Sequence, residues 1–447
     1  MGRDKVVQRR RNALGFCTKE LCSGLFVSGR EAKSLIEADL AVICDRFAGG
    51  VLHPGEIDFS IDYEHRSVTG RLSDGTCRRA VYSGDKGAAL VAGQRRDLAG
   101  MPVLAGYFDD RSWPGGDGFE PDPGYSPLRS AIRDHLAGTA ARGVAVVHHG
   151  RLVAQEFAPG FGPTTPTRGW STAKTLTGLV VGLLAGQGVV DPAAPAGIAS
   201  WKGERDPRSR ISLLDLLRLQ SGLSMRRAPD GSEDMLTDAD DYFAAYCRPV
   251  SVKAMVSEVD FATSGVFCYQ SIDFLAIAVA LREKLGPAIH GHLSGTVLPA
   301  LGLRHSLLET DAEGIPLLSG SWYTTPADLA RIGQIILGRG KLGGRRVVTE
   351  SWTALMRAES PAIVAGRVTG PPAFRHPYGA GLWLNHDGHL PAAPRAMSYA
   401  LGSLGQGVFI LDEEDLVIAR TGLDPEPGHP ALITAVLAAL SRCEVDR

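Results

Sequence analysis

The stretch Gly169-Trp170-Ser171-Thr172-Ala173-Lys174-Thr175-Leu176-Thr177-Gly178-Leu179-Val180-Val181-Gly182-Leu183-Leu184-Ala185-Gly186 constrains this chain more than any other. It follows a loop rich in Pro, Thr and Gly and stays largely apolar or small until Gly188. Gly and Gln break the run, and it falls short of the ~18 residues that span a bilayer, so it reads as a helix buried in a core. Ser171 is expected in the first turn, where a side-chain oxygen can meet N–H groups without intrahelical partners. Lys174 lies three residues on, so the two side chains share one helix face. Burial and the positive end of the helix dipole both disfavour an ammonium there, and the Lys174 pKa is expected to fall toward that of a usable base. A neutral amine within reach of a hydroxyl is one way to turn serine into a nucleophile.

Ser-x-x-Lys is a weak pattern by itself. The chain carries a second copy, Ser83-Gly84-Asp85-Lys86, but in a Gly/Asp turn with no apolar run behind it. That copy has neither dipole nor burial. Context, then, singles out Ser171.

The chain has 447 residues, enough for two or three domains, and a net charge of −2 gives no footprint for nucleic acid or a membrane surface. Seven cysteines without a Cys-x-x-Cys pair predict neither a disulfide framework nor a zinc site, and no metal is expected. The basic Arg9-Arg10-Arg11 run lacks the apolar core of a signal peptide. A cytoplasmic location is expected as the chain stands, and a periplasmic one if a leader has been removed. The oligomeric state is left open, a homodimer included.

Residues 1 to about 110 read as a β-rich module. Glu56 to Tyr63 and Ser67 to Leu72 alternate apolar and polar around a His65-Arg66 turn, and Cys77 to Tyr82 and Ala88 to Ala92 are further strands. Arg111 to Tyr125 is rich in Pro, Gly and Asp and reads as a linker, which divides the chain into 1–124 and 125–447. Beyond it, Leu128 to Leu136 has helical period, and Gly143 to Phe157 forms a hairpin through His149-Gly150-Arg151. His148 and His149 have no third ligand at metal spacing and are expected on the surface. Helical stretches follow at Ile211 to Leu219, Ile272 to Lys284 and, capped by Thr325, Leu329 to Leu337. Gly338-Arg339-Gly340-Lys341-Leu342-Gly343 has dinucleotide-loop spacing but follows a helix instead of a strand, and reads as a turn. Strands at Val408 to Leu411 and Leu416 to Arg420, then a helix at Ala431 to Leu440, end the chain. No serine sits in a Gly-x-Ser-x-Gly elbow, which argues against an α/β-hydrolase.

Five stretches together resemble the serine β-lactamase and penicillin-binding-protein superfamily, in its class C-like branch, and look most like the 6-aminohexanoate-dimer hydrolases. They are Trp170 to Lys174, Ile211 to Leu223, Phe267-Cys268-Tyr269-Gln270-Ser271, Gly320 to Ala330, and Tyr378-Gly379-Ala380-Gly381-Leu382-Trp383. The resemblance covers about residues 125–447. It implies an α/β fold, a β-lactamase-like antiparallel sheet flanked by helices plus an all-α domain, with the β-rich N-terminal module added. It further implies that Ser171 is acylated, that Lys174 is its base, and that Tyr269 relays protons. The oxyanion hole would use N–H groups of Ser171 and Ser403. Trp170, Ser271 and Gly402 would contact substrate, and no cofactor is required. Two departures stand out: the family's Tyr-x-Asn reads Tyr269-Gln270-Ser271, and its Lys-Thr-Gly strand reads Ala400-Leu401-Gly402, without a cation. They argue against β-lactams as substrates while leaving acyl transfer intact.

The expected function is therefore hydrolysis of an amide or ester of a small molecule through an acyl-Ser171 intermediate. A carboxylesterase of the same fold and a non-catalytic ligand-binding or sensor module are the rival readings. Six acids between Met225 and Tyr246 (Asp230, Glu233, Asp234, Asp238, Asp240 and Asp241) suggest a preference for neutral or amine-bearing acyl compounds.

Overall fold

Apolar strand sequences from opposite ends of the chain meet in one antiparallel sheet. The computed structural model describes residues 3–92, 108–203, 205–224 and 244–445. Strands β5 (Ala141–His148) and β6 (Arg151–Phe157) form the predicted hairpin. They join the C-terminal strands β9 (Trp383–Leu384), β10 (Ser398–Gly402), β11 (Gln406–Leu411) and β12 (Leu416–Gly422) in the order β9-β10-β11-β12-β5-β6. All neighbours are antiparallel. Every residue of β11 and β12 is buried, because helices cover both faces. Helices α2 (Ser126–Gly138) and α7 (His429–Val445) pack together on one side, and α3 (Thr172–Gly186) and α6 (Pro326–Leu337) cover the other. Among the described residues between β7 (Thr167–Arg168) and β9 most regular elements are helices, including α4 (Leu213–Leu217) and α5 (Ile272–Leu285), with β8 (Trp322–Thr324) returning to pair with β7.

The first 92 residues contain the expected hairpins as a four-stranded antiparallel sheet, β1 (Asp58–Asp62), β2 (Ser67–Arg71), β3 (Cys77–Tyr82) and β4 (Ala88–Val91). In front of it stands α1 (Arg3–Phe26), followed by helical turns over residues 32–48, which the alternation pattern did not reveal. The apolar period of α1 is blurred because buried positions include Lys19 and Glu20. Each charge is matched in the body of the protein: Lys19 pairs with the buried Glu309, and Glu20 with Arg168 on β7. Glu309 also accepts hydrogen bonds from Ser23 Oγ (2.6 Å) and the Ala88 N–H (3.1 Å). Burial of a charge is tolerated where it is paired and hydrogen-bonded, as here. At Gly15 a Cβ would fall 1.9 Å from the Cys247 carbonyl oxygen, so only glycine lets α1 lie against helix Ala244–Cys247.

The expected linker is pinned as well: Asp117 is buried within 2.9 Å of His305 Nε2 and beside Arg331. The hydrophobic core runs without a break from α1 to α7, across the expected 124/125 boundary. The histidine pair divides. His149 is exposed at the hairpin turn, whereas His148, expected on the surface, is buried with its Nδ1 3.1 Å from Tyr125 Oη, because α2 folds over the hairpin. Residues 338–346 form a small hairpin, Lys341–Leu342 with Arg345–Arg346. Ser83 to Gly87 closes through Ser83 N–H to Gly87 C=O (2.8 Å), so the second Ser-x-x-Lys copy heads a single 3₁₀ turn, Gly84–Lys86, and no α-helix.

Candidate active site

Helix α3 begins immediately after Ser171 and is buried from Thr172 through Leu184. Ser171 occupies the N-cap position but does not cap: its φ/ψ of −65°/−6° is helical, and its hydroxyl accepts no N–H from the first turn. That expectation fails because the hydroxyl is engaged by Lys174, whose Nζ lies 3.1 Å from Ser171 Oγ. The residue before it, Trp170, has φ +50°, a strained value for a bulky side chain, of the kind that persists where surrounding structure enforces it.

Lys174 is 2% exposed, and its Nζ lies within hydrogen-bond distance of Ser171 Oγ, of Ser271 Oγ at 3.2 Å and of the Ser319 carbonyl at 3.1 Å. A charged ammonium donates to all three. A neutral amine has two N–H groups and one lone pair. The Ser319 carbonyl can only accept and Ser271 Oγ can accept the second hydrogen, an arrangement in which the lone pair can face Ser171 Oγ. Ser319 went unnoticed in the sequence because it acts through its backbone, and no residue-type pattern marks that.

Tyr269 borders the same space. The Lys174 Nζ lies 5.1 Å from its ring centroid, and the ring is stacked between Phe374 and Trp383 at 4.9 Å each. Ser271 lines the cavity, as expected of a substrate contact, but its hydroxyl also serves Lys174. The unfamiliar Gln270 faces inward: its Nε2 donates to the Leu223 carbonyl (2.9 Å) and to Asp273 Oδ2 (2.6 Å). Asp273 is fully buried in the first turn of α5, and burial pushes its carboxyl pKa up to about 7.

On the sheet side, Gly402 at the end of β10 and Ser403 in the following turn line the cavity with Ser171. A Cβ at Gly402 would lie 2.3 Å from the Gly169 carbonyl oxygen and 3.0 Å from Trp170 Cβ. The missing side chain is what lets β10 lie against the backbone leading into Ser171. Trp170, expected to bind substrate, does not line this cavity. Its ring is 8% exposed, stacked on Phe47 at 5.1 Å, edge-on to Phe16 at 6.0 Å, with the Arg168 guanidinium 4.6 Å above it. The N-terminal segment has claimed it for packing.

The cavity measures about 460 Å³, within the usual range for small-molecule sites. Arg9, Arg46 and Phe47 form part of its wall, and none of the three was anticipated from sequence. No cluster of His, Cys, Asp and Glu suited to a metal ion occurs among the described residues. Among the described residues no helix is long and apolar enough to cross a membrane. The six acids that suggested an amine preference lie outside the described residues.

A serine-lysine helix lying between an antiparallel sheet and a helical region defines the serine β-lactamase-like class of proteins. Residues 128–440 match the family model described as Beta-lactamase, and the chain belongs to that family. It is 26% identical over 233 residues to the 6-aminohexanoate-dimer hydrolase of Paenarthrobacter ureafaciens, a match spanning 49% of this chain and 58% of that one. The fold is similar to that of a candidate 6-aminohexanoate-dimer hydrolase from Bacillus anthracis, with a TM-score of 0.54 at 21% identity over 76% of this chain and 84% of the other. It is also similar to that of a family VIII carboxylesterase, with a TM-score of 0.51 at 15% identity over 72% and 99% of the two chains. Residues 1–127 lie outside the family match.

Proposed function

We propose that this protein is a serine hydrolase that cleaves an amide or ester bond of a small molecule through a covalent acyl-Ser171 intermediate. The observation that carries this reading is the position of Lys174: Nζ is 3.1 Å from Ser171 Oγ and held from behind by the Ser271 hydroxyl and the Ser319 carbonyl. Neutral Lys174 takes the hydroxyl proton as Ser171 Oγ attacks the substrate carbonyl carbon. The N–H groups of Ser171 and Ser403 receive the oxyanion, a role that preorganised backbone donors fill well. Tyr269 passes the proton to the departing amine or alcohol. A water molecule, deprotonated along the same route, then releases the acid and restores Ser171. Residues 125–447 hold the groups that carry the chemistry, and 1–124 form a module that covers one side of the cavity. The similarity to 6-aminohexanoate-dimer hydrolase supports an amide as the scissile bond, and the similarity to a carboxylesterase supports an ester.

A panel of 4-nitrophenyl esters, 4-nitroanilides, linear amides and β-lactams, run on wild type and Ser171→Ala, tests the reading. Turnover abolished by Ser171→Ala, with a fluorophosphonate adduct mapped to Ser171, is the expected result. An adduct on Ser83, or on no serine, would overturn it.

A further inference from the structure

Two thiols meet inside the N-terminal segment, outside the family match. Cys17 lies on α1 and Cys44 in the helical turns that follow it, 27 residues apart, with their Sγ atoms 3.3 Å from each other. Both are buried, at 1% and 2% exposure. Sulfurs in a disulfide sit about 2.05 Å apart, so side-chain rotation has little distance to cover. Two other buried cysteines near α1 are turned to different tasks. Cys22 Sγ points to the Arg66 carbonyl, and Cys247 meets α1 through its own carbonyl oxygen, which fills the space a Cβ at Gly15 would need. The neighbours of the Cys17–Cys44 pair are the rings that cover the approach to the nucleophile. Phe16, next to Cys17, and Phe47, one turn on from Cys44, meet edge to face at 5.8 Å, and both pack on Trp170, the residue before Ser171. Arg46 and Phe47 also form part of the cavity wall. Helix α1 is anchored in the body of the protein by the buried pairs Lys19–Glu309 and Glu20–Arg168. The turns over residues 32–48 are held through Asp39, whose carboxylate lies 2.6 Å from Arg142 on β5, an anchor well before Arg46 and Phe47.

We propose that Cys17 and Cys44 are a dithiol–disulfide pair, and that its oxidation ties the cavity wall at Arg46 and Phe47 to the anchored helix α1. The oxidant is a small-molecule disulfide, represented by glutathione disulfide. One protein thiol, as its thiolate, attacks a sulfur of that disulfide and expels a glutathione thiolate. The second protein thiol gives up its proton and attacks the protein sulfur of the mixed disulfide, expelling the other glutathione. Two protein thiols are thereby oxidised to one disulfide, and one glutathione disulfide is reduced to two thiols that carry away the two protons. In the packed state the hydrogen bond with Cys44 and burial hold the Cys17 thiol well above its ordinary pKa, so it stays protonated. Exchange therefore proceeds before the segment packs, or when it lifts from the body. Once formed, the bond removes open states in which α1 and residues 32–48 part. Cysteine spacing gave no sign of this pair, because only the fold of the segment brings the two sulfurs together. The site stands apart from the hydrolase reading, since it needs neither Ser171 nor turnover.

The test incubates the full-length protein with glutathione disulfide at pH 8, with and without urea below the unfolding transition. Free thiols are then alkylated, and the chain is digested without reduction for peptide mapping by mass spectrometry. The expected product is a peptide pair joined through Cys17 and Cys44, two hydrogens lighter than the separate peptides, formed faster in urea and lost on treatment with dithiothreitol. Both cysteines alkylated in every sample, glutathione left on either one, or Cys17 joined to Cys247 instead, overturns the pair. Hydrogen exchange then compares the oxidised protein with the same sample after reduction. Exchange of the amides in residues 32–48 should be slower by about tenfold or more in the oxidised form. Equal exchange in the two forms overturns the tie to the cavity wall. Cys44→Ala serves as the control variant, and its exchange in residues 32–48 should not respond to glutathione disulfide. A response as large as that of the wild type would place the effect on another cysteine and overturn the assignment. None of these readouts depends on catalysis, so failure of the hydrolase reading would leave them unchanged.

Discussion

Glu20, on the first helix, and Arg168, three residues ahead of Ser171, form a buried ion pair that joins the N-terminal segment to the short strand just before the nucleophile. Arg168 also donates to Ser321 Oγ at 2.7 Å and to the Gly320 carbonyl at 3.2 Å, so it is the hinge pin of this region. Removing one partner of a buried pair leaves an uncompensated charge, which costs about 3–5 kcal/mol. Glu20→Gln should therefore lower unfolding free energy toward the small end of that range, since Arg168 keeps its two other acceptors. Urea unfolding measures this. A loss under about 0.5 kcal/mol, the ordinary range for surface substitutions, would show that the pair does not hold the segment in place.

Lys174→Arg keeps a nitrogen-bearing side chain of similar length but removes the base, because a guanidinium stays protonated. The kcat should drop by about 10²–10⁴-fold, the usual contribution of general-base catalysis, while the far-UV spectrum stays native. Lys174→Ala should lose a similar factor. An Arg variant with near wild-type turnover would remove Lys174 from the mechanism.

Gly402→Ala puts a methyl group 2.3 Å from the Gly169 carbonyl oxygen, a backbone atom that cannot swing aside as a side-chain end could. Either β10 or the Gly169–Ser171 backbone must move, and both border the oxyanion site. Overpacking of this kind costs about 1–3 kcal/mol. Stability should fall by that order, and the rate of Ser171 acylation by fluorophosphonate should fall with it. Unchanged acylation in a destabilised variant would separate the packing of Gly402 from the chemistry.

Asp273 gives the stability a predictable dependence on pH. Its ordinary carboxyl value is 3.8, and burial raises it to about 7 in the folded state. Between those values the folded protein retains a proton that the unfolded chain has lost, so this group's contribution falls from about pH 4 to pH 7 and is level above. Asp273→Asn keeps a partner for Gln270 and removes the titration. The wild type should lose stability relative to the Asn variant as pH rises from 4.5 to 7.5, by an amount of the order of a few kcal/mol. Parallel denaturation midpoints for the two proteins across that window would show that Asp273 does not titrate there.

Much of the site was legible because its groups are tied together by short-range rules. Ser171 and Lys174 share a helix face at a spacing of three, and the apolar run behind them could only be buried. Tyr269 and the edge strand ending at Gly402 were recognisable as motif segments in order along the chain. The period-2 alternation that marked the hairpins at 58–71 and 141–157 also depends only on neighbouring residues.

What remained hidden depends on residues far apart in sequence. Helix α1 hides its period because Lys19 and Glu20 are buried against partners 290 and 148 residues away. Trp170 looked like a substrate contact until Phe16 and Phe47 were seen to cover it. His148 looked exposed until α2 folded over it. Ser319 acts through a carbonyl oxygen that every residue possesses, and Arg9 and Arg46 could not be assigned to the cavity from a basic run alone. Local sequence determined which helix carries the nucleophile and its base, since periodicity and side-chain chemistry are properties of the chain itself. Only the tertiary structure decided what surrounds them, because burial, ion pairing and the walls of a cavity are set by which distant segments come into contact.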